Sequence, residues 1–177
     1  MDFSKLSQIQ LASDTVIKPF KCAEEDLNGF IFDDAKRFQQ ELMAVTYLIE
    51  NQETNHTVAY FSLLADKITF NPDDKSIWNK LNRNIPNSKR RRSYPAVKIG
   101  RLAVNEEYSG CGVGTFVIDS IKYAFTTVKR LGCRFLTVDA LSSATKFYEK
   151  NGFQFFTELD KDDETRLMFY DLKNFIS

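Results

Sequence analysis

A glycine-rich turn joins an apolar segment to a long amphipathic one within residues 101–115, RLAVNEEYSGCGVGT. Gly110, Gly112 and Gly114 have no side chains, so a ligand can approach the backbone closely at this turn. The apolar residues that follow recur three and four positions apart, which predicts a helix over 112–131. The first amides of that helix have no intrahelical acceptor and lie at the positive end of its dipole. The turn is therefore predicted to bind a pyrophosphate.

Two common glycine-rich phosphate motifs do not fit this turn. A P-loop ends in Gly-Lys-Ser/Thr, whereas Thr115 and Phe116 follow Gly114 here. The dinucleotide-binding fingerprint requires a glycine or alanine where Thr115 stands, within a βαβ unit that also presents a ribose-binding acid. On its own, the cluster is also compatible with a tight strand-to-helix turn that binds nothing.

The rest of the chain alternates between short strands and helices, and no repeat, low-complexity tract or linker divides it. Residues 24–41 have apolar side chains three and four positions apart, which predicts a helix that breaks or bends near Gly29. Residues 51–55 are turn formers between two β-rich runs, so we expect a hairpin there. The predicted strands lie within 8–20, 43–49, 57–64, 96–104, 134–139, 153–157 and 165–172, and the predicted helices are 24–41, 73–81, 112–131 and 143–150. This order predicts an α/β (α+β) fold with a mixed sheet and helices on both faces.

Composition restricts the class of protein. Hydrophobic residues make up 43% of the chain and charged residues 27%, as in soluble globular domains. No apolar run approaches the ~20 residues of a membrane span, and the first residues lack a secretory pattern. Cys22, Cys111 and Cys133 are odd in number and have no metal-type spacing. We expect a single cytoplasmic domain over 1–177 that holds no metal.

Charge is distributed unevenly, although 24 basic residues balance 24 acidic ones. A net charge of zero argues against a general affinity for nucleic acid. Residues 75–105 nevertheless contain no Asp or Glu, and the polar loop at 82–93 includes the basic run 89–92, KRRR. Such a run is either a solvated surface or a surface that binds phosphates, and both interpretations stay open.

Two motifs occur in the order and at the separation that one enzyme superfamily shows. The first is 109–114, SGCGVG, which fits the pattern Gln/Arg-x-x-Gly-x-Gly/Ala at its glycines. The second comprises 134–140, RFLTVDA, and 144–153, ATKFYEKNGF. Together they resemble the acetyl-coenzyme A signature, fifth strand and following helix of the GNAT (Gcn5-related N-acetyltransferase) superfamily. The resemblance covers about residues 94–172. It implies an acetyl-CoA-dependent N-acetyltransferase with a mostly antiparallel sheet whose fourth and fifth strands splay apart in the centre.

The resemblance also implies which residues hold the cosubstrate. Backbone groups of the strand residues Leu102, Ala103 and Val104 would bind the pantetheine arm, and Ala144 would contact the cofactor at the start of the second motif. The pyrophosphate would be held by the residues of the turn, Ser109, Gly110, Cys111, Gly112, Val113, Gly114 and Thr115. Ser109 stands where the family usually has Gln or Arg, so we expect backbone amides to bind the phosphates, at a lower affinity.

Acetyl transfer to an amine requires a neutral amine and a stabilised or protonated thiolate. Tyr148 lies where the family has its thiolate-facing tyrosine, and the resemblance implies that it protonates the thiolate; the alternative is a core aromatic residue. The general base stays open, because His56, Glu106 and Glu107 could each be ordinary surface residues. A lysine amine with a pKa of about 10.4 needs strong help to lose its proton, whereas an α-amine at about 7.7–8.0 is already partly neutral. The lack of a clear base therefore favours an α-amine acceptor.

A narrower resemblance rests on 17–22 (IKPFKC), 26–35 (DLNGFIFDDA), 97–104 (VKIGRLAV) and 139–144 (DALSSA). These segments are similar to the GNAT toxins of toxin–antitoxin pairs, which acetylate the α-amine of aminoacyl-tRNA. The similarity implies tRNA as acceptor and an antitoxin as partner, with Arg90, Arg91 and Arg92 binding the tRNA phosphates. A homodimer is a further expectation. The alternatives are a small-molecule or protein N-acetyltransferase and an inert module that binds coenzyme A or RNA.

Overall fold

The computed structural model describes residues 1–73, 75–128 and 131–176. The strands of this part form one sheet in the order β1-β2-β3-β4-β5-β7-β6. They are β1 Leu6–Gln10, β2 Val45–Asn51, β3 His56–Thr69, β4 Ser93–Val104, β5 Phe135–Leu141, β6 Gln154–Phe155 and β7 Thr165–Asp171. The α-helices are α1 Glu25–Gly29, α2 Ala35–Gln40, α3 Lys75–Arg83, α4 Val113–Tyr123 and α5 Thr145–Lys150. The predicted α/β class with a mixed sheet is confirmed.

Most strands of the sheet run antiparallel to a neighbour. β1 pairs with β2, β2 with β3, β5 with β7, and β6 with β7 in this way. β4 and β5 are parallel, and their pairing joins Ala96–Lys98 to Phe135–Thr137. Among the described residues the two strands have no further pairs, although β4 continues to Val104 and β5 to Leu141. This short pairing agrees with the expected separation of the central strands.

The predicted hairpin is confirmed, and its turn shows why it forms. Asn51 Oδ1 accepts hydrogen bonds from the N–H of Glu53 at 2.9 Å and of Thr54 at 3.3 Å. Asn55 has a φ of 57°, a left-handed conformation that asparagine tolerates better than most residues. These residues reverse the chain between β2 and β3. β3 then continues past its predicted end at residue 64, to Thr69.

The first strand is shorter than predicted. β1 ends at Gln10, whereas the prediction placed the strand and its approach within 8–20. Beyond it, the Thr15 N–H donates to the Ala12 carbonyl oxygen at 3.1 Å, and the Ala12 N–H donates to Thr15 Oγ1 at 2.8 Å. A threonine hydroxyl that satisfies a backbone donor locally replaces the hydrogen bonds of a sheet. The chain therefore turns at this point instead of extending the strand.

The helix predicted over 24–41 is not broken. It contains a π-helical turn, which is wider than an α-helical turn. Gly29 itself has helical angles, φ −58° and ψ −47°. The next five residues, Phe30–Asp34, form a π-helical turn before α2 begins at Ala35. Such turns insert a local irregularity into an otherwise continuous helix. The π turn buries Phe30 and Ile31.

Two other elements are shorter than their predictions. The helix predicted over 112–131 is α-helical to Tyr123 and π-helical over Ala124–Val128, and residues 129 and 130 lie outside the described part. Thr126 Oγ1 donates to the Lys122 carbonyl oxygen at 2.8 Å, so a side chain competes for an acceptor of the helix ladder. The strand predicted over 153–157 contains only Gln154 and Phe155.

The chain divides into two compact units. Unit 1 comprises Met1–Leu64 and Ile99–Ile121, and unit 2 comprises Ala65–Lys98 and Lys122–Ser177. A single domain over 1–177 therefore stays a prediction. No helix in the described ranges is both long enough and apolar enough to cross a lipid bilayer.

Each unit has its own apolar core. In unit 1 the buried Tyr60 ring packs edge-on against Phe20, and its hydroxyl donates to the Leu27 carbonyl oxygen at 2.6 Å. The buried cluster of unit 1 contains Leu11, Phe20, Cys22, Phe30, Ile31, Ala35, Leu48, Tyr60 and Ala103. The core of unit 2 is rich in aromatic rings and contains Ile68, Trp78, Leu81, Ile85, Tyr94, Ala96, Phe135, Phe156 and Phe169.

Candidate active site

A buried asparagine fixes the end of β4 where the glycine turn begins. The Asn105 N–H donates to the Val58 carbonyl oxygen at 2.9 Å, and Asn105 Nδ2 donates to the Thr57 carbonyl oxygen at 3.1 Å. Asn105 Oδ1 accepts from the Glu107 N–H at 3.2 Å, which starts the 3-10 turn Glu106–Tyr108. Asn105 therefore ties the turn to β3. The prediction missed this residue, although an asparagine directly after a strand is a known signal for a side-chain-capped turn.

The glycine turn has the backbone geometry that an anion site requires. Gly110 has a φ of 75° and Gly112 a φ of 83°, both in the left-handed region that favours glycine. A Cβ at Gly110 would meet no atom within 4 Å, so the space beside the turn is open. In the described chain, the first α4 amide with a backbone acceptor is that of Phe116, which donates to the Gly112 carbonyl oxygen at 3.0 Å. The α4 amides before it are available to a ligand, and the turn fits a pyrophosphate.

The remaining predicted cofactor residues of unit 1 differ in exposure. Ser109, Cys111 and Thr115 are exposed. Val113 is buried, so only its backbone can contact a ligand. In β4, Ala103 belongs to the core of unit 1, whereas Leu102 and Val104 are half-buried. This leaves the backbone of the strand as the part that a pantetheine arm would meet.

An aromatic residue near the start of the chain packs beside the turn. The Phe3 ring stacks on the Phe116 ring of α4, with 4.8 Å between the ring centroids and 11° between the planes. A Cβ at Gly112 would lie 3.7 Å from Phe3 Cζ. Phe3 therefore lies on the side of the turn that Gly112 faces. No sequence pattern predicted this contact, because it joins residues more than 100 positions apart.

Tyr148 lies on α5 in unit 2 and is 6% exposed. Its ring packs edge-on against Phe147 at 5.0 Å and Phe153 at 5.4 Å. The Tyr148 carbonyl oxygen accepts from the Phe153 N–H at 3.0 Å. Burial of the hydroxyl raises the pKa of Tyr148 well above its usual value, so the group stays protonated at neutral pH. Ala144, in the 3-10 turn that precedes α5, is half-buried.

The basic run lies in unit 2, around the 3-10 turn Asn87–Lys89, and all four of its residues are exposed. Arg90 donates from Nη2 to the Asn82 carbonyl oxygen at 2.9 Å and from Nε to the Ile85 carbonyl oxygen at 3.2 Å. The Arg92 guanidinium lies over the Phe70 ring, 5.6 Å from its centroid. The three arginines were predicted to bind phosphates together. Arg90, however, is hydrogen-bonded within the loop, and Arg92 lies over Phe70.

The three candidate bases of the sequence lie in unit 1 and have partners there. His56 Nδ1 lies 3.2 Å from Glu107 Oε2, and Glu106 Oε1 lies 3.1 Å from Lys21 Nζ. These side chains are partly or largely exposed. In the described part of the chain no group of three or more His, Cys, Asp or Glu side chains could hold a metal ion.

Comparisons with known proteins agree with this architecture. Residues 82–155 match the family model for the acetyltransferase (GNAT) domain. A crystal structure of a tyrosine-to-phenylalanine mutant of KacT has a TM-score of 0.76 and 25% identity, over 96% of each chain. AtaT complexed with acetyl-methionyl-tRNAfMet has a TM-score of 0.72 and 24% identity, over 97% of each chain. A tyrosine-to-phenylalanine mutant of the toxin AtaT, bound to the C-terminus of the antitoxin AtaR and to acetyl-CoA, has a TM-score of 0.73 and 20% identity, over 96% of this chain and 95% of that one. No curated protein has a matching sequence.

Proposed function

We propose that this chain transfers the acetyl group of acetyl-CoA to a primary amine, the α-amine of an aminoacyl-tRNA, because its residues 82–155 match the acetyltransferase (GNAT) domain. The structural observation that carries the proposal is the glycine turn before α4. It combines two left-handed glycines, open space at Gly110 and helix amides without backbone acceptors. This combination suits the pyrophosphate of coenzyme A.

Within this proposal, the residues of unit 1 bind the cosubstrate. The amides at the start of α4, up to Thr115, hold the pyrophosphate, and the backbone of Leu102 and Val104 bonds to the pantetheine amides. The Cys111 N–H donates to the Tyr108 carbonyl oxygen at 3.3 Å and so shapes the turn instead. Acetyl-CoA supplies an activated acyl group, a thioester whose carbonyl carbon an amine attacks. Since Ser109 offers only a short hydroxyl, the phosphates are held mainly by N–H groups.

Tyr148 is proposed as the acid that protonates the departing thiolate. Because burial raises the pKa of the Tyr148 phenol, the hydroxyl keeps its proton at neutral pH and is present as an O–H donor toward the departing thiolate. The comparison structures include mutants of KacT and AtaT in which one tyrosine is exchanged for phenylalanine. A tyrosine hydroxyl is the group that such mutants remove, which supports a tyrosine as the acid here. Ala144, one helical turn before Tyr148, is proposed to contact the cosubstrate through its small side chain.

The proposed acceptor rests on charge and on the relatives. AtaT is described in complex with acetyl-methionyl-tRNAfMet. In this chain, the exposed run Lys89–Arg92 in an acid-free stretch offers cations to the phosphates of a tRNA. An α-amine also needs less help to lose its proton than a lysine amine does, because its pKa lies closer to neutral pH.

The proposed setting is a cytoplasmic toxin–antitoxin pair, in which an antitoxin protein inhibits the enzyme. Support comes from the complexes of AtaT with AtaR and from the KacTA–DNA complex. A homodimer is part of the same proposal. Acetylated aminoacyl-tRNA would be the product that stops translation in the absence of the antitoxin.

The proposal is tested by acetyl transfer from labelled acetyl-CoA to a mixture of aminoacylated tRNAs, with deacylated tRNA as the control. We expect label in the charged tRNA alone, and growth arrest when the chain is expressed without an antitoxin. Thermal unfolding with acetyl-CoA tests cosubstrate binding independently, since a ligand at a hundredfold excess over its Kd stabilises the folded state by about 2.7 kcal/mol. An unchanged melting temperature at millimolar acetyl-CoA would reject the enzyme. Label in peptides or small amines, but not in tRNA, would leave an N-acetyltransferase with another acceptor.

A further inference from the structure

A carboxylate of unit 2 forms a hydrogen bond across β4, the strand whose backbone is proposed to bind the pantetheine arm. Asp66 lies on β3 and Thr137 on β5, and the sheet order places β4 between these two strands. Thr137 Oγ1 nevertheless donates to Asp66 Oδ2 at 2.5 Å. The two side chains together therefore bridge β3 and β5 across β4. Thr137 is 1% exposed, so the carboxylate is anchored to a buried partner while Asp66 itself is half-buried.

The anchor lies where the pairing of the central strands ends. Lys98 and Thr137 are the last register partners of β4 and β5. Lys98 Nζ lies 2.7 Å from Asp139 Oδ2, so the second carboxylate at this position is neutralised by a cation. Asp66 has no ion-pair partner among the described residues. Of these two carboxylates, Asp66 is the one whose charge is not matched by a cation in the described part of the chain.

Asp66 and Tyr148 lie on opposite faces of β5. Alternate residues of a strand point to opposite faces, so Phe135 and Thr137 share one face and Leu136 points to the other. Leu136 is the register partner of Tyr170, and the Tyr170 ring contacts Phe153, which contacts Tyr148. Thr137, with Asp66 bonded to it, is on the first face.

The face that carries Asp66 also carries the basic run. Phe135 contacts Tyr94 of β4 at a centroid distance of 6.0 Å. The Tyr94 hydroxyl donates to Asn82 Oδ1 at 2.6 Å and accepts from the Arg91 N–H at 3.1 Å. The loop that holds Lys89–Arg92 is therefore fastened to the same face as Asp66. A polyanionic acceptor bound by this loop would approach β4 from the side of Asp66.

We propose that Asp66 is the general base that takes the proton from the acceptor amine. This inference rests on the proposed function. The nitrogen lone pair forms the new C–N bond to the thioester carbonyl carbon while the C–S bond breaks. The nitrogen loses its proton to Asp66, and the sulfur receives a proton from Tyr148. Solvent then returns a proton from Asp66 to Tyr148, so an amine and a thioester yield an amide and a thiol.

This arrangement assigns the two proton transfers to different faces of one sheet. In this proposal the base faces the acceptor and the acid faces the leaving group. Thr137 positions the carboxylate by occupying Oδ2, which leaves Oδ1 for the amine. The Asp139 carboxylate is paired with Lys98, so it is not proposed to bind the amine. Among the described residues, no other carboxylate is held in this way by a buried hydroxyl of β5.

The test compares Asp66→Asn with Asp139→Asn, a matched change of the neighbouring carboxylate. Steady-state transfer to aminoacylated tRNA is measured from about pH 6.5 to 9 for both variants and the native chain. We expect Asp66→Asn to lower kcat at pH 7 by roughly 10²–10⁴-fold with little change in KM for acetyl-CoA. The deficit should shrink as the pH rises, because hydroxide can take the proton that Asp66 accepts in the native chain. Asp139→Asn should remain within about threefold of the native rate.

Two further variants test the role of Asp66 independently of Asp66→Asn. If Asp66→Asn unfolds, Thr137→Val, which removes only the anchoring hydroxyl, should still lower kcat with the same dependence on pH. Added formate should partly restore the rate of Asp66→Ala, because a small carboxylate can replace the missing one. An Asp66→Asn enzyme with native kcat and an unchanged pH profile would refute the role of Asp66 and leave the acetyltransferase intact. A native chain that acetylates no amine would instead refute the proposed function itself.

Discussion

Arg90 donates a hydrogen bond from Nη2 to the Asn82 carbonyl oxygen at 2.9 Å, so one predicted phosphate ligand is engaged by its own loop. Its Nε donates to the Ile85 carbonyl oxygen at 3.2 Å. Neutralising Arg90 would thus alter the loop conformation together with the charge. A test of the basic run has to separate these two effects.

The first prediction concerns Lys89 and Arg91, whose side chains form no hydrogen bond or ion pair with other described residues. Lys89→Ala combined with Arg91→Ala should weaken tRNA binding and reduce the slope of log K against log salt by about 1 for each lost phosphate contact. The slope is measured by filter binding at several salt concentrations. Lys150→Ala with Lys161→Ala removes two exposed charges elsewhere and should leave the slope unchanged.

Arg90→Ala serves as a contrast to that pair. It should lower the melting temperature and loosen the loop, because two carbonyl oxygens lose their donor. If Arg90→Ala leaves the melting temperature intact and lowers tRNA binding as much as the double variant, the hydrogen bonds have no structural role.

The second prediction concerns Gly112, whose φ of 83° disfavours any residue with a Cβ. Gly112→Val should abolish the stabilisation by acetyl-CoA and destabilise the fold by about 1–2 kcal/mol, the cost of a left-handed conformation. Thermal unfolding with and without acetyl-CoA measures both effects. Binding at native affinity by a folded Gly112→Val protein would exclude the turn as the pyrophosphate site.

Gly29→Ala is the control for the added side chain. Gly29 has helical angles and, like Gly110, no atom within 4 Å of the position that a Cβ would occupy. We expect this variant to gain roughly 0.5–1 kcal/mol, since alanine has the higher helix propensity. Its response to acetyl-CoA should equal that of the native chain.

The third prediction concerns Tyr148. Tyr148→Phe keeps the ring contacts with Phe147 and Phe153 and removes only the hydroxyl. Turnover should fall by roughly 10²–10⁴-fold, while the thermal shift with acetyl-CoA is retained. Tyr123→Phe changes an exposed tyrosine and should have no effect. A native rate in Tyr148→Phe would show that the residue serves the core alone.

The fourth prediction is a loss of stability in alkali. Burial raises the pKa of Tyr60 and of Tyr148, so both stay protonated in the folded state at a pH where the unfolded chain ionises. The folded state then binds more protons than the unfolded state, and the free energy of unfolding falls as the pH rises above about 10. Each tyrosine contributes a slope of about 1.4 kcal/mol per pH unit.

Urea denaturation from about pH 9 to 11 checks this slope. Tyr148→Phe should reduce it by the contribution of one group. Equal slopes in the native chain and in Tyr148→Phe would mean that the Tyr148 hydroxyl is solvated in the folded protein.

The sequence was sufficient for features that depend on local chemistry. The hairpin follows from the turn residues at 51–55, and α4 follows from glycines and periodic apolar residues that adjoin along the chain. Both depend on residues a few positions apart, where turn preferences and helical spacing apply directly. The mostly antiparallel sheet with separated central strands was predicted only from the family resemblance, and the order of its strands was not predicted, since strand pairing joins distant residues.

The features that escaped prediction depend on distant contacts. Thr137 and Asp66 are 71 positions apart, and Asp66 lies outside both motifs, so nothing in the sequence pairs it with Thr137 of the segment 134–140. The end of β1 was misplaced because the Thr15 hydroxyl replaces a sheet hydrogen bond, an outcome that apolar patterning does not encode. The engagement of Arg90 was equally invisible, because a basic run looks the same whether its cations are free or bonded.

Because Phe3 stacks on Phe116, a probe attached to Phe3 lies beside the first turn of α4. A ring held 3.7 Å from the Cβ position of Gly112 experiences a change in its surroundings when that turn is occupied. A fluorinated phenylalanine at position 3 would therefore be a spectroscopic reporter of occupancy, read directly by NMR without any acceptor or turnover. It would also respond to inhibitors that displace the cosubstrate from the turn.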